Sequence, residues 1–147
     1  MAGTNRFMNW QNGQFTPSGG SSIALVGVTK CDISANADII AFKGDIAKYD
    51  QVVAAPTSHR IVTVDFADAH TAMIIASGTF GSFSIQLLDA QNGAVPGGGG
   101  FTVALANCVV GNKPVSDSHA QYATAQLTFQ GYDPTGGLTD PMTVTPL

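Results

Sequence analysis

Residues 119–137 read HAQYATAQLTFQGYDPTGG, and the alternation inside them decides the fold class. Ala123, Ala125, Leu127 and Phe129 fall on one side of an extended chain; Thr124, Gln126, Thr128 and Gln130 fall on the other. Successive side chains of a strand point to opposite faces, so a period of two marks a strand with one buried face. The polar face is unusual in kind. It is a row of neutral Thr and Gln, neither a charged surface nor a second apolar one. Asp133, Pro134, Gly136 and Gly137 then supply turn chemistry that ends the strand.

The same pattern recurs on both sides of this stretch. "RIVTVDFA" (60–67) sets Val62, Val64 and Phe66 on one side. "TFGSFSIQLLDA" (79–90) sets Phe83, Ile85 and Leu87 against Ser82, Ser84 and Gln86. "FTVALANCVV" (101–110) is apolar on both sides, which predicts a strand covered on both. "SIALVGVTKCDIS" (22–34) reads as a strand, with "ADIIAFKGD" (37–45) its hairpin partner across Ala35 and Asn36. Asn92-Gly93 within "QNGAVPGGGG" is a hairpin signal. One helix is expected at about 66–77, where Ala69, Ala72, Met73 and Ala76 recur at helical spacing. Asp65 or Asp68 could cap its start, and Gly78 could end it in a left-handed conformation.

The expected fold is therefore mainly β: an antiparallel β-sandwich or barrel of about seven strands with one short flanking α-helix. Composition agrees. The 147 residues hold 17 Gly and 7 Pro, and all ten acidic residues are Asp. Asp favours turns and caps, whereas Glu, absent here, favours helices. A chain of this length is one domain by expectation and large enough to fold on its core alone. Residues 1–21 read as a docked N-terminal arm, because Phe7, Met8, Trp10 and Phe15 are too many large apolar groups for a disordered tail. Residues 46–59, with Pro56 and no clean period, read as an irregular interaction loop.

Charged residues make up only 11% of the chain, against roughly 25% in typical soluble domains. So few charges with positive mean hydropathy predict a surface largely covered by partners. A net charge of −4 argues against an ordinary nucleic-acid binder, which needs a basic stripe. No apolar run reaches the roughly 18 residues of a membrane helix, and residues 1–14 lack the pattern of a signal peptide.

A search for chemistry yields no catalytic, metal or cofactor site. His59, His70 and His119 lie apart from any nucleophile elbow, and Ser-Asp-Ser-His at 116–119 proves no triad. "PGGGG" precedes a strand and lacks the lysine of a phosphate loop, so it reads as a hairpin tip. Cys31 and Cys108 stand in apolar strand-like runs without a CxxC or a Cys/His cluster. Two buried free thiols are expected there, with a disulfide or metal pair the alternative.

Over about residues 22–145 the chain resembles the tail tube proteins of long-tailed bacteriophages, a group that includes the related inner tubes of contractile tails. The likeness runs through "ALVGVTKCDISANADIIAFKGD", "DAHTAMIIASG", "GSFSIQLLDAQNG" and "GGFTVALANCVV", then "SHAQYATAQLTFQGYDPTGG" and "TDPMTV". It lies in the order of these pieces; none alone is diagnostic. The resemblance implies a structural virion protein, not an enzyme, assembled in the bacterial host cytoplasm into homohexameric rings. The rings stack into a tube that passes a tape-measure protein and then DNA. Ser82, Ser84, Gln86, Thr124, Gln126, Thr128 and Gln130 would line the lumen, where a grip on polyanions must be avoided. Lys30, Lys43, Lys48, Arg60 and Lys113 would then have to face elsewhere. Phe7, Trp10 and Phe15 of the arm, with Lys48, Tyr49 and Val52 of the loop, would make contacts between subunits and rings. Deleting residues 1–15 is expected to leave a folded subunit that cannot stack. The alternatives are a head-decoration or other virion β-protein, and a carbohydrate-binding sandwich, which the single Trp disfavours.

Overall fold

The computed structural model describes residues 8–67, 69–89, 100–111, 115–116 and 124–146. In chain order the elements are β1 (Met8–Pro17), β2 (Ile23–Leu25), β3 (Val28–Phe42), β4 (Val52–Phe66), α1 (His70–Met73), β5 (Phe80–Asp89), β6 (Phe101–Val110), β7 (Val115–Ser116), β8 (Thr124–Gly131) and β9 (Met142–Pro146). The strands form one antiparallel sheet in the order β2-β1-β5-β6-β8-β4-β3, with β7 beside β8 and β9 beside the first half of β6. The protein is mainly β with a single short helix among the described residues, as its alternation requires.

The sheet curls around its apolar face without closing. β1 and β3 lie five steps apart along the sheet, which would separate them by about 24 Å if it were flat. Instead they touch, and Trp10 and Gln11 of β1 share a cleft with Val28 and Thr29 of β3. At the centre Phe129 of β8 stacks on Phe83 of β5, ring centroids 4.6 Å apart, and on Phe15 of β1 at 5.4 Å. Val62, Val64, Phe66, Ile85, Val103, Leu105, Val110 and Leu127 complete this core. The sheet tolerates such curvature partly through Gly81, where any Cβ would collide with the Thr16 carbonyl of the paired strand.

Four expectations change. Residues 8–17 are not an arm: they form β1, an interior strand between β2 and β5, and Phe15 is fully buried in the protein's own core. It cannot contact another subunit, and deleting residues 1–15 would remove a core strand. Trp10 is half-buried, edge-on to Phe101 at 6.2 Å, and Phe7 lies outside the described residues.

No hairpin turns at Ala35 and Asn36, because β3 runs straight through them for 15 residues. Its partner is β4, with Ala35 opposite Arg60 and Asn36 opposite His59. The reversal falls at residues 43–51 instead, where the Gln51 side chain accepts from the Gly44 amide at 2.8 Å. Residues 52–59 of the expected loop are accordingly the first half of β4. Pro56 is accommodated at the irregularity in register near Asp38 and Ile40, on a stretch where β4 has no second neighbour.

The helix is one turn rather than three. Ala69 and Ala72 are buried as expected, but Met73 and Ala76 are exposed and Ile75 is buried in their place. Thr71, Ala72 and Ile75 form the inward side, so the buried face is displaced from the expected stripe toward Ile75, and burying an isoleucine outweighs the gain from a stripe of alanines. Asp65 lies in β4, Asp68 lies outside the described residues, and Ala69 at the N-cap makes no side-chain cap. Gly78 does adopt a left-handed φ of 84°, and its amide donates to the Val110 carbonyl at 2.7 Å.

Candidate assembly surfaces

Two surfaces stand out, both built by the sheet. The first is the outer end of the β3–β4 hairpin. β8 stops pairing with β4 at Ile61, yet β3 and β4 continue together to Phe42 and Val52. At about 3.3 Å per residue, the eight or nine residues per strand leave an arm projecting roughly 26–30 Å beyond the core. From residue 35 to residue 59 every residue except Ala47 is exposed.

The arm is nevertheless apolar. Alternation along β3 carries the core face of Cys31 and Ile33 outward through Ile39 and Ala41, the latter opposite Val53, while Ile40 opposite Ala54 and Phe42 opposite Val52 form the other face. Phe42 is 66% exposed, Tyr49 at the tip 74%, and Ile39, Ile40, Ile46, Val52 and Val53 are exposed as well. Isolated exposed apolar residues need no explanation, but a contiguous two-faced set marks an interaction site. Lys48 lies over the Tyr49 ring at 5.6 Å, and Lys43, Asp45, Lys48 and Asp50 cancel in charge around the tip.

The root of the arm is clamped. Arg60 makes a forked ion pair with Asp140 in the loop between β8 and β9, Nε to Oδ1 at 3.1 Å and the terminal nitrogen to Oδ2 at 3.2 Å. The Met142 amide and then Arg60 hold the Asp140 carboxyl below the usual carboxylate value. In the same loop Asp133 accepts from the Thr139 amide at 3.0 Å, and from the amide and hydroxyl of Thr135 at 3.0 and 2.8 Å. These bonds lower its pKa to about 2. Because the folded value lies below the ordinary one, ionised Asp133 favours the ordered loop above the ordinary carboxylate value, and that contribution is lost as the pH falls through about 2. The amide resonances of Thr135 and Thr139 should therefore titrate together with a midpoint near 2; a midpoint near 4, the ordinary carboxylate value, would show the cage absent.

The second surface is the outside of the curled sheet, where the polar residues singled out in the sequence lie. They do not form one wall. Ser82, Ser84 and Gln86 lie on β5, whereas Thr124, Gln126, Thr128 and Gln130 lie on β8, two steps further round the sheet. Since both strands turn their apolar sides to one core, their outward sides point in different directions.

Around β5 the face is wide and free of charge. Register places Gln14 beside Ser84 and Ala104, and Thr143 beside Ala104. Gln86 lies beside Thr102, which is followed by Thr145. Asn12 donates to Gln86 at 2.8 Å, and Gln86 donates to Thr102 at 3.2 Å. The β8 face is different, because its neighbours carry charge. Asp65 accepts from Gln126 at 2.8 Å, and Lys30 pairs with Asp32 at 3.3 Å on β3. Of the cations that had to avoid a lumen, Lys30 is on β3, Lys43 and Lys48 are at the arm tip, and Arg60 is at the arm root. Lys113 lies outside the described residues.

Cys31 and Cys108 are free and buried, and burial pushes both thiols up to about 12, helped at Cys31 by Asp32 and Asp65. His59 lies 3.6 Å from Asp38 on the arm, His70 begins α1, and His119 lies outside the described residues. Among the described residues no group of three or more His, Cys or Asp side chains could hold a metal ion. Comparison with models of known protein families found no match, and comparison with curated proteins found none either.

Proposed function

We propose that this protein is a structural subunit that assembles with copies of itself into a hollow tube of the phage-tail kind, rings of six stacked along a common bore. The observation that carries the reading is the β3–β4 arm, a two-faced apolar hairpin held out from the core with no other described strand upon it. Exposure of that much apolar surface is costly in a free monomer and is relieved by packing against another subunit. Lys48, Tyr49 and Val52, placed in contacts by the sequence, are joined there by Ile39, Ile40, Phe42 and Ile46.

In this reading the β1-β5-β6-β9 face lines the bore, and the β8 face with its charges lies toward neighbouring subunits. A channel for DNA must not retain it, and each lysine or arginine that touches phosphate strengthens binding by counterion release. A wall of Gln14, Ser84, Gln86, Thr102, Thr143 and Thr145 offers none.

Electron microscopy of the untagged, concentrated protein tests the proposal. Hollow tubes or six-fold rings are the expected outcome; trimers would move the protein to the decoration class. The wall assignment has its own test. With Cys31 and Cys108 buried, Ser84→Cys adds one reactive thiol. A long poly(ethylene glycol) maleimide should label it in dissociated subunits and fail to label it along intact tubes. Equal labelling in both states would place that face outside the bore.

A further inference from the structure

β1 and β3 meet at a seam that is aligned but not paired. The β1–β2 ladder sets Gly13 opposite Leu25, Gln14 opposite Ala24 and Phe15 opposite Ile23. Carried onward, that register sets Trp10 opposite Val28 and Asn9 opposite Thr29, yet among the described residues no ladder joins them. Both chains kink where the pairing stops. Asn12 has a left-handed φ of 54°, the one non-glycine to do so among the described residues, and Gly27 has a φ of 77°. The kinks match. Phe15 and Trp10 on one strand, and Leu25 and Val28 on the other, are an odd number of residues apart, yet all four pack on the core. Each strand has therefore gained one residue, and the register across the seam is kept. Between the two remains a cleft of about 340 Å³ lined by Asn9, Trp10, Gln11, Val28 and Thr29.

We infer that this seam is a strap that opens and closes. Residues 9–11 zip onto residues 27–29 and turn the curled sheet into a closed barrel of six strands, β1-β5-β6-β8-β4-β3. Three observations carry it. Every neighbouring pair between β1 and β3 is antiparallel and the two lie five steps apart, so they run in opposite directions, as a further antiparallel ladder requires. The lining holds no charge. Asn9, Gln11 and Thr29 turn outward while Trp10 and Val28 turn to the core, so pairing sets polar beside polar and apolar beside apolar. Finally, each flap is held from behind alone, β1 by β5 and β3 by β4, and closing breaks neither ladder. Open, the seam leaves two strand edges that invite pairing with a foreign strand; closed, it removes them.

The chain carries one tryptophan and it stands at the seam, so the fluorescence of Trp10 reports the state of the strap. Asn9→Cys with Thr29→Cys places two thiols at opposed, exposed positions. Opposed Cα atoms of an antiparallel ladder lie about 4.5–5.5 Å apart, within reach of a disulfide. Cys31 and Cys108 are buried and do not compete. In oxidised glutathione this pair should link within one chain roughly tenfold faster than Gln11→Cys with Thr29→Cys, which lines the same cleft out of register. Linking should cut acrylamide quenching of Trp10 about twofold, because Val28 closes on the half-buried ring as its cross-strand partner. Equal rates for the two cysteine pairs, or no linking in either, would overturn the inference. So would a linked chain whose Trp10 is quenched as before, since the strands would then have no second state. Should the cysteine pair fail to fold, Asn9→Asp with Thr29→Lys closes the seam by charge instead. Its Trp10 quenching should fall at low salt and recover at high salt, and quenching indifferent to salt would count against the strap.

Discussion

Phe129→Ala should lower the unfolding free energy by about 3–5 kcal/mol, the range for deleting a buried phenylalanine. The upper half of that range is expected. Phe129 is fully buried and lies between two other rings, Phe83 at 4.6 Å and Phe15 at 5.4 Å. Its removal therefore leaves a cavity walled by β8 on one side and by the paired strands β1 and β5 on the other, with β6 between β5 and β8 along the sheet. Such walls cannot close on the gap without uncurling the sheet, and the cost of a cavity grows when its surroundings cannot relax. In a thermal melt the loss should appear as a drop of roughly 10 °C. Phe15→Ala should cost a similar amount, and the double variant should cost less than the sum, since the two share one stack. A loss under about 1 kcal/mol for Phe129→Ala would mean that the three rings do not close the curl.

The same stack shows how much of this fold could be read in advance. Phe129, Phe83, Val62, Val64 and Phe66 were legible because each sits in a strand with one wet face, where alternation names the buried side. Phe15 was not. The residues around it, Asn12, Gly13, Gln14 and Thr16, give a weak strand signal, and only pairing with β5 makes them a strand. Gly13 has a structural reason to lack a side chain, since a Cβ there would lie 3.1 Å from Leu25. The helix pattern was real at Ala69 and Ala72 and failed where Ile75 competed for the core, a tertiary demand that no local period encodes.

The arm was half legible. "ADIIAFKGD" lacks alternation, which ordinarily marks a strand covered on both faces. Here both faces are exposed among the described residues. Read as a hairpin partner, the segment was placed inside the domain; the 15-residue ladder of β3 and β4 places it outside. The polar faces were legible residue by residue, but their separation onto different sides follows from the curl of the sheet. Curvature depends on strand order, and β1 and β9 enter that order from opposite ends of the sequence.

Excising the arm should abolish assembly and leave the domain intact. Ala37 and Ser58 face each other in the ladder, so residues 38–57 can be replaced by Asn-Gly, which closes a two-residue hairpin between directly opposed strand positions. Every described contact of the core survives this change, as does the Arg60–Asp140 clamp. The excised residues are exposed apart from Ala47, so the melting temperature should move by no more than a few degrees. Assembly should respond very differently. Phe42 and Tyr49 are large apolar anchors of the kind that each contribute 2 kcal/mol or more at interfaces, so losing both should raise the critical concentration by about a thousandfold. Light scattering across a concentration series measures that shift directly. The comparison with Phe129→Ala makes the result decisive, because that substitution weakens assembly only by unfolding subunits, whereas excision should abolish it in subunits that melt normally. Assembly at the natural concentration by the armless chain would transfer the whole role of the arm to the lateral faces of the sheet.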